Sequence, residues 1–254
     1  MKRVLALIYG GVSYLVFFTS FVYAVGFVEN FFVPRTIDRG VESPLVTALI
    51  INTLLLTAFA VQHSVMARQP FKRMITRVIS PSVERSTYVL MASLLLWLLL
   101  WQWRPLPQTV WNISNVAVAY ALTAVSLLGW GMVLLSTFLI SHVDLFGLKQ
   151  VMQYFRNEKY SYPGFRTPGL YKVVRHPIYL GFMLAFWSTP KMTLGHLLFA
   201  VATTAYIFVG ATLEERDLVS FHGRDYENYR QSVPMFLPTG KKTSKSDASA
   251  AGRP

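Results

Sequence analysis

The stretch Arg175-His176-Pro177-Ile178-Tyr179-Leu180-Gly181-Phe182-Met183-Leu184-Ala185-Phe186-Trp187-Ser188-Thr189-Pro190 decides how this chain folds. From Ile178 to Pro190, thirteen residues carry no Asp, Glu, Lys or Arg. As a helix they reach about 20 Å at about 1.5 Å per residue, short of a hydrocarbon core of about 30 Å. The next charge-free run, Met192 to Leu213, is long enough to cross. Together they read as a helical hairpin turning at Thr189-Pro190-Lys191, whose short arm must tilt, distort or stop short. Irregular backbone at such depth needs protein or a water-filled cavity around it.

Outward from the hairpin lie four more charge-free runs of at least 18 residues: Val4 to Val28, Leu45 to Met66, Ser86 to Trp103 and Ser114 to Ile140. The spacing predicts an all-α integral membrane protein with five long transmembrane helices plus a short helix paired with the last span. Composition agrees. Of 254 residues, 53% are hydrophobic and only 14% charged, against about 25% charged in a typical soluble domain. That excludes a disordered chain, a soluble nucleic-acid binder and a secreted disulfide scaffold. The absence of cysteine removes disulfides, thiolate metal sites and a cysteine nucleophile.

The net charge of +12 is explained by where the charges sit. Twenty of the 24 Lys and Arg lie at the N-terminus, in 67–85, in 141–177 and after Leu213; the intervening connections hold only Arg35, Arg39, Arg104 and Lys191. By the positive-inside rule both termini face the cytoplasm, so the basic character belongs to a membrane surface and not to a nucleic-acid site. The first run is too long for the about 7–15 apolar residues of a signal peptide and reads as a retained span. Residues 1–238 form one membrane domain; the polar stretch 239–254 reads as a disordered cytoplasmic tail.

The chemistry is expected at the cytoplasmic ends of the spans. Pro177 suits the first turn of a helix, and Gly181, one turn later, lets a ligand or another backbone approach closely. Arg175 and His176 would then flank an anion-favouring helix N-terminus. The hairpin returns to the same face at Glu214-Glu215-Arg216-Asp217. A cationic patch and a carboxylate cluster on one surface suit a zwitterionic ligand; read separately, Arg175 is a snorkelling side chain and the acidic run a solvated helix end. His142 with Asp144, ending the fourth span, and His63 with Gln62, near the end of the second, are the remaining ionisable candidates. Each histidine reads equally as a helix-end or interhelical hydrogen-bonding group. Asn52 reads as an interhelical hydrogen-bonding residue, and Trp97, Trp101 and Trp103 as an interfacial aromatic belt. Glu29, Asn30 and His196 fall on the far face, and His222 reads as a loop residue. No pair of histidines has metal-ligand spacing, so no metal site is expected.

Arg-His-Pro-x-Tyr-x-Gly, Glu214-Glu215 and Gly223-x-x-Tyr226-x-x-Tyr229-x-x-x-Val233-Pro234 together resemble the integral-membrane methyltransferases, among them isoprenylcysteine carboxyl methyltransferases and phospholipid N-methyltransferases. Gly26-Phe27-Val28-Glu29-Asn30, Gln62-His63-Ser64-x-Met66-Ala67-Arg68 and Ser141-His142-Val143-Asp144-Leu145-Phe146-Gly147-Leu148 extend the likeness to the nurim-like family and, over all but the tail, to bacterial methanethiol S-methyltransferases. The resemblance implies a bacterial inner-membrane enzyme that uses S-adenosyl-L-methionine to convert a small thiol, methanethiol, to dimethyl sulfide, with its cofactor part at about 141–238. Arg175, His176, Pro177, Tyr179 and Gly181 would form one cofactor wall and Glu214 and Glu215 the other, closed by Tyr226 and Tyr229. In that arrangement Arg175 would hold the methionine carboxylate. Glu214 or Glu215 would accept from ribose hydroxyls or the ammonium, and tyrosine faces would take adenine and the sulfonium. His142 would receive the thiol proton, with Asp144 orienting it. A lipidic acceptor (a prenylcysteine carboxylate or phospholipid amine) and a non-catalytic structural or transport role remain alternatives, and oligomeric state is left open.

Overall fold

A computed structural model describes residues 1–162 and 164–238; the expected tail, 239–254, lies outside the described residues. Five helices are long and apolar enough to cross a membrane: α1 (Lys2–Val28), α2 (Leu45–Ala67), α4 (Pro81–Gln102), α5 (Val116–Ile140) and α9 (Leu194–His222). Shorter helices are α3 (Gln69–Ile75), α6 (His142–Leu145), α7 (Leu148–Phe155), α8 (Pro177–Trp187) and α10 (Arg224–Ser232). The long helices expose many large apolar side chains, among them Leu15, Leu54, Leu128 and Phe208, as a lipid-facing surface requires. The architecture is that of a multi-pass membrane protein.

Local chemistry sets several boundaries. α4 starts five residues before the charge-free run because Ser80 caps it and Pro81 fills the first position, drawing Glu84 into the first turn. Asn115 caps α5 through the Val118 N–H, and Thr193 caps α9 through that of His196. As its proline predicts, α8 begins at Pro177.

The hairpin of α8 and α9 turns where expected. Its tip is held by a feature the sequence did not announce: β1 (Thr109–Asn112) pairs antiparallel with β2 (Lys191–Thr193), in the register Thr109 to Thr193, Trp111 to Met192 and Asn112 to Lys191. The Trp111 indole donates to the Thr189 carbonyl at 3.1 Å. Irregular backbone is therefore covered by protein, as apolar surroundings demand.

The short arm is fixed by α5. A Cβ on Gly181 would lie 2.7 Å from the Gly129 carbonyl oxygen, and one on Gly129 would lie 2.6 Å from that of Gly181. Two glycines thus let the backbones touch, the small-residue contact by which helices associate in lipid. Gly181 is required for this crossing; its open face meets α5.

The core lies between α1, α4, α5, α8 and α9, around Phe27, Leu99, Trp130, Phe186 and Phe199. Trp103 corrects the expected interfacial belt: it is 2% exposed and donates through Nε1 to the Ile37 carbonyl at 3.1 Å. Trp101 does remain exposed, under the Arg35 guanidinium. Asn52 is fully buried. Its amide pairs with both backbone groups of Arg104, at 2.7 and 2.8 Å, so its partner is a loop and not a helix.

Candidate functional site

The functional candidates gather at the basic end of the bundle, where α8 starts and α9 ends. His176 and Arg175 precede α8; their N–H groups donate to the carbonyls of Met235 and Pro234, at 3.1 and 2.9 Å. The segment after α10 is thereby laid along the entrance to α8. Arg175 Nε donates to Glu215 Oε1 at 2.6 Å, and its Nη1 donates to the carbonyls of Arg230, at 2.9 Å, and Val233. His176 Nε2 lies 3.0 Å from the same Glu215 oxygen. The Arg175 and Glu215 side chains are each 10% exposed. This is a near-buried ion pair whose remaining donors are largely satisfied by backbone, the condition under which such a pair is tolerated.

The neighbouring glutamate differs. Glu214 is 45% exposed, accepts from the Tyr179 hydroxyl at 2.7 Å and has His176 Nδ1 at 3.8 Å. The expected meeting of guanidinium and carboxylates therefore occurs, but with divided labour: Glu215 is nearly buried and engaged through Oε1 by both Arg175 and His176, and Glu214 presents the open carboxylate.

The basic end also holds a cavity of about 750 Å³ between α3, the start of α4, the α6–α7 corner and the end of α9; Arg175, His176, Tyr179, Glu214, Glu215, Tyr226 and Tyr229 are not in its wall. Lys72, Arg85, Glu84, Asp144, Tyr160 and His222 are in its wall. Asp144 Oδ1 accepts from Gln150 Nε2 at 2.8 Å and from the Tyr160 hydroxyl at 2.7 Å. Burial and the adjoining carboxylate push the Tyr160 phenol up, which keeps it a neutral donor to Asp144. Gln150 Oε1 is buried with no partner. Phe165 joins cavity and ion-pair cluster: its ring lies 5.1 Å from His222, 6.0 Å from Tyr226 and 5.6 Å from Tyr229. Tyr229 donates to the Tyr171 carbonyl, and burial pushes its phenol up to about 12.

His142 and Asp144 are not brought together as expected. His142 Nε2 is 2.8 Å from the Tyr14 hydroxyl and Nδ1 is 2.8 Å from Thr137 Oγ1, with the ring stacked 4.1 Å from Phe138. The helical turn of α6 aims the two side chains apart, leaving both imidazole nitrogens with protein partners and Asp144 facing the cavity. Burial lowers the His142 pKa. Glu29 and Asn30 lie at the other end, as expected: Glu29 accepts from Ser126 and Trp130, and Asn30 donates to Asp38. His196 is buried there too, with Nε2 2.9 Å from the Phe186 carbonyl. Tyr160, Gln150, Phe165 and the Tyr14 and Tyr88 partners of His142 and His63 escaped sequence reasoning because each comes from another helix or loop with no spacing signal. Among the described residues no group of three His, Cys, Asp or Glu side chains is placed to share a metal ion.

Comparison with known proteins bears on this site. Residues 67–233 match a family described as a protein of unknown function (DUF1295). The chain is 54% identical over 236 residues to methanethiol S-methyltransferase 1 of Bradyrhizobium diazoefficiens, spanning 93% of this chain and 83% of that protein. It is 54% identical over 238 residues to methanethiol S-methyltransferase of Mycobacterium tuberculosis, spanning 94% of this chain and 98% of that protein. Nurim of Xenopus laevis is 29% identical over 194 residues, or 73% of this chain and 68% of that protein. No solved structure matches the chain. Because the likeness runs through the spans as well as the acid–base cluster, the chain belongs to the methanethiol S-methyltransferase family.

Proposed function

We propose that this protein transfers a methyl group from S-adenosyl-L-methionine to methanethiol, releasing dimethyl sulfide, in a bacterial inner membrane with both termini in the cytoplasm. The observation that carries the reading is 54% identity, over nearly the whole chain, to relatives named for that reaction. The charge asymmetry of the connections supports the orientation. A membrane setting suits a small apolar thiol that partitions into lipid, with the charged donor arriving from water at the basic end.

The residues fit such a donor. It carries an ammonium, a carboxylate, ribose hydroxyls, adenine and a sulfonium. The basic end offers the open carboxylate of Glu214, the unpartnered Gln150 Oε1, cations of Lys72 and Arg85, and aromatic faces. A cavity of about 750 Å³ lies within the range of about 300–1,000 Å³ for small-molecule sites. In this reading Glu214, Tyr179, Asp144 and Gln150 hold the donor. Arg175, His176 and Glu215 keep the α8 entrance, α9 and the 233–236 segment together as its walls, and Pro177 and Gly181 seat α8 itself. Tyr226 and Tyr229 close the side toward Phe165. His142 braces the corner that presents Asp144.

S-adenosyl-L-methionine supplies an electrophilic methyl group. The protein's part is alignment of the acceptor, which is worth much of the barrier in such displacements, and exclusion of competing water. Headspace gas chromatography of bacteria expressing the chain and supplied with methanethiol tests the proposal. Dimethyl sulfide above that of cells with an empty vector is expected. If radiolabelled methyl groups instead accumulate in extracted lipid or prenylated protein, the acceptor is lipidic.

A further inference from the structure

His63 sits inside α2, where an ionisable side chain is costly and therefore informative. Three rings from three helical faces enclose it: Phe59 at 5.4 Å, Tyr88 of α4 at 5.2 Å and Tyr206 of α9 at 6.4 Å between centroids. Nε2 lies 2.8 Å from the Tyr88 hydroxyl, whereas Nδ1 is buried with no partner. A buried polar atom left unpaired is costly, so a position that keeps one calls for an explanation. The surroundings are soft and apolar, yet tied to the charged end. Arg85 covers the Tyr88 ring at 4.8 Å, and Ser64 donates to the Tyr206 hydroxyl at 3.2 Å. α2 packs more closely on α4 than on α9.

We infer that His63 is the acceptor-site base: its Nδ1 receives the S–H proton of a small alkyl thiol that enters between α2 and α9, with Phe59, Tyr88 and Tyr206 limiting the length of the alkyl group. This deepens the proposed function and rests on it. The required tautomer is the one in which Nε2–H donates to the Tyr88 oxygen, leaving the Nδ1 lone pair free. The proton passes to Nδ1 as a sulfur lone pair of the thiol forms the new S–CH₃ bond. The S–CH₃ bond of the sulfonium breaks with its electron pair remaining on the donor sulfur, which becomes a neutral thioether. The imidazolium then returns the proton to water, a step favoured by the nearby Arg85 cation. One positive charge enters with the donor and one proton leaves.

The test uses full-length protein in lipid nanodiscs. His63→Gln should lower kcat/KM for methanethiol about 100-fold, the usual scale for losing a general base, while affinity for radiolabelled S-adenosyl-L-methionine stays within about twofold of wild type. Phe59→Ala should raise the ratio of kcat/KM for 1-propanethiol to that for methanethiol about tenfold, the scale of one or two methylenes in a pocket. In protein carrying ¹⁵N-histidine, methanethiol added without donor should shift one Nδ1 resonance that is missing from His63→Gln. Near-wild-type kcat/KM in His63→Gln, or an unmoved His63 resonance, overturns the assignment and leaves the methyltransferase reading standing. Should His63→Gln also lose donor binding, an unchanged thiol ratio in Phe59→Ala overturns the assignment instead. Wild-type protein that makes no dimethyl sulfide overturns the parent reading and this one with it.

Discussion

The two ends of the bundle are both polar, and both intrude on an apolar interior, but they use polarity differently. At the end opposite the basic loops, polar side chains tie down backbone. Asn52 pairs with Arg104, Trp103 with Ile37 and Trp111 with Thr189, while Thr193 both caps α9 and donates to Asp38. At the basic end Arg175 also holds backbone, at the Arg230 and Val233 carbonyls, but it does so while paired to a carboxylate, and the adjacent carboxylate is left half open. In the proposed function the second end is the one that receives the methyl donor. Buried acceptors without a partner occur at both ends, at Gln150 Oε1 and His63 Nδ1 toward the basic side and at Asn30 Oδ1 and His196 Nδ1 at the other.

That contrast can be broken or sharpened by substitution. Arg175→Ala should have the largest effect: it strands Glu215 in a near-buried position, a change that costs about 3–5 kcal/mol, and it releases the 233–236 segment. Thermal unfolding in detergent should fall sharply and donor binding should be lost; a melting curve like wild type would mean the pair is dispensable. Asn52→Ala at the other end should cost about 1–3 kcal/mol, because both backbone groups of Arg104 lose their partner. Donor affinity measured by equilibrium dialysis should not change, and a parallel loss of affinity would dissolve the distinction between the ends. Glu214→Gln should do the converse, weakening donor affinity about tenfold, or about 1.4 kcal/mol, with little change in melting temperature. If Glu215→Gln and Glu214→Gln behave alike, the division between a buried, paired carboxylate and an open one is wrong.

The smallest effect concerns pH. Burial holds the His142 pKa below its ordinary value of about 6.5. The unfolded chain therefore takes up a proton at higher pH than the folded one, so this contribution is complete above about pH 6.5 and declines as pH falls below it. Wild-type melting temperature should drop more steeply from pH 7 to pH 5.5 than that of His142→Gln. Equal slopes would show that His142 does not titrate differently on folding.

The spans, the hairpin and its turn were legible because length, charge-free runs and Pro177 obey one-dimensional rules. So was the meeting of Arg175 with the acidic pair, since both ends of a hairpin return to one face. What sequence could not supply were pairings between distant elements. The glycine contact of Gly129 with Gly181, the strand that holds the hairpin tip and the Tyr88 partner of His63 all join residues with no common spacing. His142 and Asp144 misled for the opposite reason: residues two apart in sequence point to different sides of a helical turn. Trp103 misled because an aromatic at a span's end reads as interfacial, whereas here the loop between α1 and α2 accepts its indole N–H at Ile37 and Phe27 and Phe199 pack against its ring.

The central claim is that methyl groups pass from S-adenosyl-L-methionine to a small thiol at the basic end. Purified wild-type protein in nanodiscs, given donor with a deuterated methyl group and unlabelled methanethiol, tests it most directly by mass spectrometry of the headspace. Dimethyl sulfide carrying one deuterated methyl, in amounts that scale with enzyme, is the predicted result. Donor left intact, or a volatile product without deuterium, would contradict the account.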